Sequence, residues 1–278
     1  MEGLDTSTLL TLAAVAAGSG IVGGTLAGLL GVGGGIVIVP GLYLALSLTD
    51  MDPALIMQVA VGTSLSTIVF TSISSSWGHY KKGSIDFAVL KLWAPAILVG
   101  VVLGSVLGGL VSGYVLIAVF TAVALFVAGN MILRNPDPEI APRSFSKPVW
   151  AGFGVFAGGV SAMMGIGGGT VCVPLLNFLG YDIRKAVGTS AAIGFLIGLP
   201  ASVIYVITGW GAEGLPPFSL GYVNVLLAVV IIPLSTLFAR VGVAIAHAIP
   251  PRALRLAFGF FLLVTAVRMG MDLISGVG

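Results

Sequence analysis

Charge is scarce in this chain: 12 Lys and Arg and 10 Asp and Glu among 278 residues, or 8%. A soluble domain carries about 25% charged residues, so that class is excluded. The net charge of +2 is too small to draw the chain to nucleic acid. Cysteine occurs once, as Cys172, which rules out an intramolecular disulfide and any multi-cysteine metal cluster. Carboxylates are missing from the centres of the long apolar runs. That argues against a site for metal cations, which want carboxylate oxygens. No Lys-Ser/Thr follows a Gly-rich turn, so there is no P-loop and no sign of a nucleotide cofactor. No catalytic constellation stands out, and the chain is not expected to be an enzyme.

Apolar residues make up 58% of the chain, and mean hydropathy is +1.15. Glycine supplies 41 residues, about twice average usage, as suits close helix packing in lipid. Three of those glycines stand together twice. Gly31-Val-Gly-Gly-Gly-Ile-Val-Ile-Val-Pro40 returns as Gly165-Ile-Gly-Gly-Gly-Thr-Val-Cys-Val-Pro174. Each triplet should break a helix inside an apolar stretch. Broken backbone at membrane depth must line a cavity or be covered by protein. Matching breaks in two halves point to a transporter's binding site.

Ten apolar segments are legible: 8–30, 36–49, 54–77, 88–110, 113–133, 148–164, 170–180, 186–208, 220–245 and 252–274. Eight approach the length that crosses about 30 Å of hydrocarbon. The segments 36–49 and 170–180 are short and read as half-helices or re-entrant pieces. Glu2 and Asp5 precede the first run, which reads as a membrane helix and not as a signal peptide. A proline- and charge-rich linker, 135–147, divides a first membrane repeat, 1–134, from a second, 148–278.

The halves share more than one motif. Gly20, Gly24 and Gly28 match Gly154, Gly158 and Ala162 at an offset of 134. Ala60-Val-Gly-Thr-Ser64 matches Ala186-Val-Gly-Thr-Ser190 at an offset of 126. Pro95 and Gly104 match Pro233 and Gly242. With the N-terminus outside and every segment crossing, eleven of the twelve Lys and Arg residues fall inside, all but Arg268. Glu2, Asp5, Asp50, Asp52, Glu213 and Asp272 fall outside. This obeys the positive-inside rule. The linker is then cytoplasmic and both termini lie outside. Five crossings per half make the repeats inverted.

Gly33, Gly34 and Gly35, with Gly167, Gly168 and Gly169, are the leading site residues. A half-helix starting after each triplet would offer free N–H groups and a positive dipole end to an anion. Alternatively, the glycines serve tight helix crossing. Thr63, Ser64, Thr189 and Ser190 could add hydroxyl donors, or bond within and between helices. Thr170 and Cys172 occur only in the second motif. Cys172 reads as a ligand contact or a small buried hydrophobe. His79 reads as an interfacial residue or a proton carrier, and His247 likewise. Arg240 reads as an inner-side anion ligand or a snorkelling side chain. The row Gly100, Gly104 and Gly108 could pack within one chain or between copies in a homo-oligomer.

With these paired G-φ-G-G-G-x-V-x-V-P and Ala-Val-Gly-Thr-Ser motifs, where φ is apolar, the chain resembles the sulfite exporter TauE/SafE family of membrane permeases. The basic, proline-broken linker and Pro250-Pro-Arg-Ala-Leu-Arg255 fit the same pattern. The resemblance covers essentially the whole chain. It implies transport of small sulfur-containing anions, such as sulfite or organosulfonates, across the bacterial inner membrane. The expected fold is an all-α polytopic membrane protein in two inverted five-segment repeats.

Overall fold

The computed structural model describes residues 6–49, 51–133, 146–246, 248 and 250–275. Glu2, Asp5, Asp50, most of the linker with Arg134 and Arg143, and His247 lie outside the described residues, as do the side chains of Arg255 and Asp272. The described chain forms ten helices and one short hairpin. The helices are α1 (Thr6–Leu30), α2 (Gly35–Leu46), α3 (Pro53–Lys81), α4 (Phe87–Leu110), α5 (Gly113–Leu133), α6 (Lys147–Met163), α7 (Gly169–Phe178), α8 (Ile183–Thr208), α9 (Val225–Ala246) and α10 (Pro251–Ser275). The antiparallel pair β1 (Ser219–Leu220) and β2 (Val223–Asn224) precedes α9.

Each apolar run forms a helix because, in lipid, only internal hydrogen bonds satisfy the backbone. Among the described residues six helices are long and apolar enough to cross a membrane: α1, α3, α4, α5, α8 and α9. The chain is a multi-pass membrane protein. At 1.5 Å per residue, the 12-residue α2 and 10-residue α7 reach only about 18 and 15 Å, well short of the bilayer core. Pro40 and Pro174 lie inside these short helices, and not at their first turns.

Three connector acids start helices. Asp52 accepts the Ala54 N–H at 2.9 Å, and Asp182 accepts those of Arg184 and Lys185 at 2.9 and 3.3 Å. Asp86 accepts the Ala88 and Val89 N–H groups at 3.0 and 3.1 Å. A side-chain cap satisfies donors that have no intrahelical partner and places negative charge at the positive end of the dipole.

Glycine contacts set the helix packing. A methyl on Gly24 would collide with the Ser235 carbonyl, and one on Gly28 with that of Ala239. So α1 and α9 run side by side in the same direction. The matching glycines of α6 lie on α4: Gly158 against the Ile97 carbonyl, with Gly104 returning the contact to the Gly159 carbonyl. Along α3 and α8 the order reverses. Gly194 abuts Ser72, and Gly198 lies against Leu65 and Ile68, so these two helices are antiparallel.

One boundary departs from expectation. Residues 220–224 read as the start of an apolar membrane segment, but they form the hairpin that ends at α9. Gly221 at φ 53° turns it, pressed against the Val206 carbonyl, and its strand residues pair Ser219 with Asn224 and Leu220 with Val223.

Candidate functional site

The two Gly-rich breaks meet at the centre of the helix bundle. Helices α1 and α6 each end on a left-handed glycine: Gly31 at φ 67° and Gly165 at φ 68°. Glycine alone adopts this conformation freely, which makes it the usual helix stop. The chain then crosses its counterpart backbone to backbone. A methyl on Gly33 would lie 2.9 Å from Gly167 Cα, and one on Gly167 would lie 2.8 Å from Gly33 Cα. Gly35 faces the Gly165 carbonyl, and Gly169 faces the Gly31 carbonyl. Thus all six predicted glycines come together, and four of them make the crossing itself. Gly34 lies against the Gly23 carbonyl instead, and Gly168 against Ser190 and Ile193.

Helices α2 and α7 begin beside this crossing. The first-turn N–H groups of any helix lack intrahelical acceptors. Their starts differ in geometry. Gly34, the residue before α2, is left-handed at φ 85°, whereas Gly168, before α7, is right-handed at φ −53°.

The hydroxyls divide unequally. Thr63, fully buried, accepts the Asn224 N–H at 2.9 Å; Thr189, also fully buried, accepts the Asp86 N–H at 2.8 Å. Both threonines therefore anchor the starts of α9 and α4. Ser64 reaches the crossing and donates to the Gly165 carbonyl at 2.8 Å. Its counterpart Ser190 is just as buried, but its hydroxyl has no hydrogen-bond partner among the described residues. The same holds for the Thr170 hydroxyl, in the first turn of α7. An unsatisfied buried hydroxyl costs about 1–3 kcal/mol. Nine buried side-chain polar atoms lack a partner among the described residues, and these two lie beside one helix start.

The remaining candidates lie elsewhere. Cys172 is a free, fully buried thiol one turn into α7. His79, in the last turn of α3, is 2% exposed, and its Nε2 lies 2.9 Å from the Gly28 carbonyl of α1. Arg240 is exposed on α9, six residues before its end. Neither residue reaches the crossing in any hydrogen bond described.

A polar rail runs along α3. Thr71 shares a hydrogen bond with Ser235 at 2.7 Å, Ser74 donates to the Thr236 carbonyl at 2.8 Å, and Ser75 donates to the Ala27 carbonyl at 3.1 Å. These bonds tie α3 to α9 and α1. The matching positions of α8, Ile197, Pro200 and Ala201, carry no hydroxyl.

Relatives of the chain carry transporter names. It is 33% identical over 250 residues to a probable membrane transporter protein of Haemophilus influenzae, an overlap covering 90% of this chain and 95% of the relative. It is 28% identical over 246 residues to the probable membrane transporter protein YunE of Bacillus subtilis, covering 81% and 85%. A probable membrane transporter protein of Methanocaldococcus jannaschii is 26% identical over 258 residues, covering 90% and 92%. No solved structure matches significantly. Residues 16–269 match the family described as Sulfite exporter TauE/SafE, and with its paired glycine breaks crossed at the bundle centre the chain belongs to that family of membrane transporters.

Proposed function

We propose that this protein is a secondary transporter that exports small sulfur-containing anions, such as sulfite or an organosulfonate, across the bacterial inner membrane. Its two halves act as inverted five-segment repeats, with both termini on the periplasmic side. The antiparallel course of α3 and α8 supports the inversion, as do the reciprocal glycine contacts of α1 with α9 and of α6 with α4. The anion sits beside the crossing, at the start of α7, near the bilayer centre.

One observation carries this reading: the unpartnered hydroxyls of Thr170 and Ser190, 1% and 0% exposed, in the first turn of α7 and on the α8 turn packed against Gly168. Hydroxyls and free N–H groups are donors, and donors with no acceptor in the protein suit an oxyanion. The half-helix dipole adds to the attraction. Asp52, Asp86 and Asp182 are engaged as caps at helix starts, and no described acid side chain is hydrogen-bonded at the crossing. The tight crossing of Gly33 and Gly167 favours alternating access over an open pore, because backbone on backbone leaves no path between the two motifs. Sulfur preference rests on the family alone.

Purified protein in liposomes tests the proposal. Uptake of radiolabelled sulfite or sulfoacetate should saturate and show trans-stimulation. Ser190→Ala and Gly168→Leu should abolish it. Flux that never saturates would indicate a passive anion channel. No flux and no ligand-induced thermal stabilisation across an anion panel would indicate a membrane scaffold.

A further inference from the structure

The end of α3 and the start of α4 carry a feature that the transport site does not use. An apolar groove of about 680 Å³ opens on the side of the bundle between α3, α4 and α8. Ile73, Trp77, Phe87, Leu90, Phe195 and Leu196 line it. At one end its aromatic rings form a connected rim. Trp77 stacks on Tyr80 at 5.8 Å, and Tyr80 meets Phe87 edge-on at 6.1 Å. All three are about half exposed.

Positive charge surrounds this rim. The Lys81 ammonium lies 5.3 Å from the Trp77 ring centroid. Lys82 is exposed in the adjoining turn, and exposed Lys91 follows Phe87 by four residues on α4, hence on the same helix face. The nearest acid in sequence is Asp86, whose Oδ1 accepts the Ala88 and Val89 N–H groups at the start of α4.

The repeat supplies an internal control. At offsets of 126 and 138, the counterparts of Trp77, Tyr80, Lys81, Lys82, Phe87 and Lys91 are Val203, Val206, Ile207, Thr208, Val225 and Val229. None is aromatic and none is charged. The fold therefore does not require an aromatic, basic rim at this place. Aromatic rings belong at the membrane interface, and basic clusters there favour the leaflet rich in anionic lipid.

We infer that this groove is a binding site for an anionic phospholipid, its acyl chain lying along Ile73, Phe195 and Leu196 and its phosphate held by Lys81, Lys82 and Lys91. Charge complementarity and apolar depth together select this occupant. A neutral lipid would use only the groove, and a free phosphate only the lysines.

The full chain in neutral detergent tests the assignment, with micelles doped with phosphatidylglycerol or phosphatidylcholine as probes. Phosphatidylglycerol should raise the unfolding midpoint by several degrees, and phosphatidylcholine should have little effect. Each of Lys81→Gln, Lys82→Gln and Lys91→Gln should weaken phosphatidylglycerol binding by about fivefold. Ala192→Trp, which fills the groove and spares the lysines, should weaken it as well. Equal stabilisation by the two lipids overturns the assignment. So does full stabilisation by inorganic phosphate, or an Ala192→Trp protein that binds phosphatidylglycerol normally.

Discussion

Thr63 Oγ1 accepts the backbone N–H of Asn224 at 2.9 Å, across 161 residues of chain. The equivalent bond joins Thr189 of the second half to the Asp86 N–H of the first. Beside them Gly62 abuts the Tyr222 carbonyl, and Gly188 abuts that of Ser84. These threonines brace the entries of α9 and α4. Thr63→Val and Thr189→Val should each cost about 1–3 kcal/mol, because an amide is left without its acceptor. Thermal unfolding in detergent measures the loss. Apparent affinity for a transported anion should stay unchanged; a weakened affinity without destabilisation would return these hydroxyls to the ligand.

Ser64 and Ser190 are sequence equivalents with opposite consequences. Ser64→Ala removes a buried hydrogen bond to Gly165 and should cost stability, about 1 kcal/mol. Ser190→Ala removes a hydroxyl with no partner among the described residues, and should leave stability unchanged or raise it. Uptake should respond in the opposite order, with Ser190→Ala the more damaging. Paired melting and transport measurements on the two variants distinguish them.

Glycines should sort by what stands next to them. A methyl on Gly28, Gly104 or Gly169 meets backbone atoms that cannot move aside, so Gly→Ala at each should destabilise by about 1–3 kcal/mol or more. Gly18, Gly129 and Gly152 lie in helices with nothing within 4 Å of an added Cβ. There Gly→Ala should stabilise by up to about 1 kcal/mol through helix propensity. A melting series over these six positions checks the division.

Tyr181, in the turn between α7 and α8, has its phenol pushed above its ordinary value of 10.0, first by burial and second by the Asp86 carboxylate. The folded state thus favours the neutral phenol. Its contribution is complete below pH 10. It falls as pH rises from there towards the higher folded value, because the unfolded chain loses the proton first. Tyr181→Phe should flatten the alkaline decline of the unfolding midpoint. Asp86→Asn should flatten it less, and it keeps a good cap, as Asn224 shows in the other half.

The helices were legible because hydrophobic runs of membrane length have few alternatives. The hairpin at 219–224 was not, since Leu220, Tyr222 and Val223 continue an apolar run and only Gly221 and Asn224 interrupt it. The glycine triplets announced a break and, through the repeat, its counterpart. That Gly33 and Gly167 cross backbone to backbone is a property of the packed bundle, which the repeat does not state. The same limit applies to His79. Nothing in the neighbouring Lys81 and Lys82 names the Gly28 carbonyl, 51 residues away, that its Nε2 meets. Ser64 and Ser190 occupy identical pentapeptides, so their different bonding was beyond sequence.

The hydroxyl rail of α3 gives the molecule a mechanical asymmetry. Hydrogen bonds are directional and weaken steeply with misalignment, so the bonds from Thr71, Ser74 and Ser75 clamp α3 to α9 and α1 in one register. On α8 the matching Ile197, Pro200 and Ala201 offer only non-directional apolar contact, which tolerates sliding. The α1–α3–α9 seam is thus pinned along its middle, whereas α8 is held near its two ends, by Thr189 to the Asp86 N–H and by the Tyr205 hydroxyl to the Met163 carbonyl. The two seams differ in where directional bonds hold them: in the first at mid-helix, in the second at the ends that flank Ile197, Pro200 and Ala201.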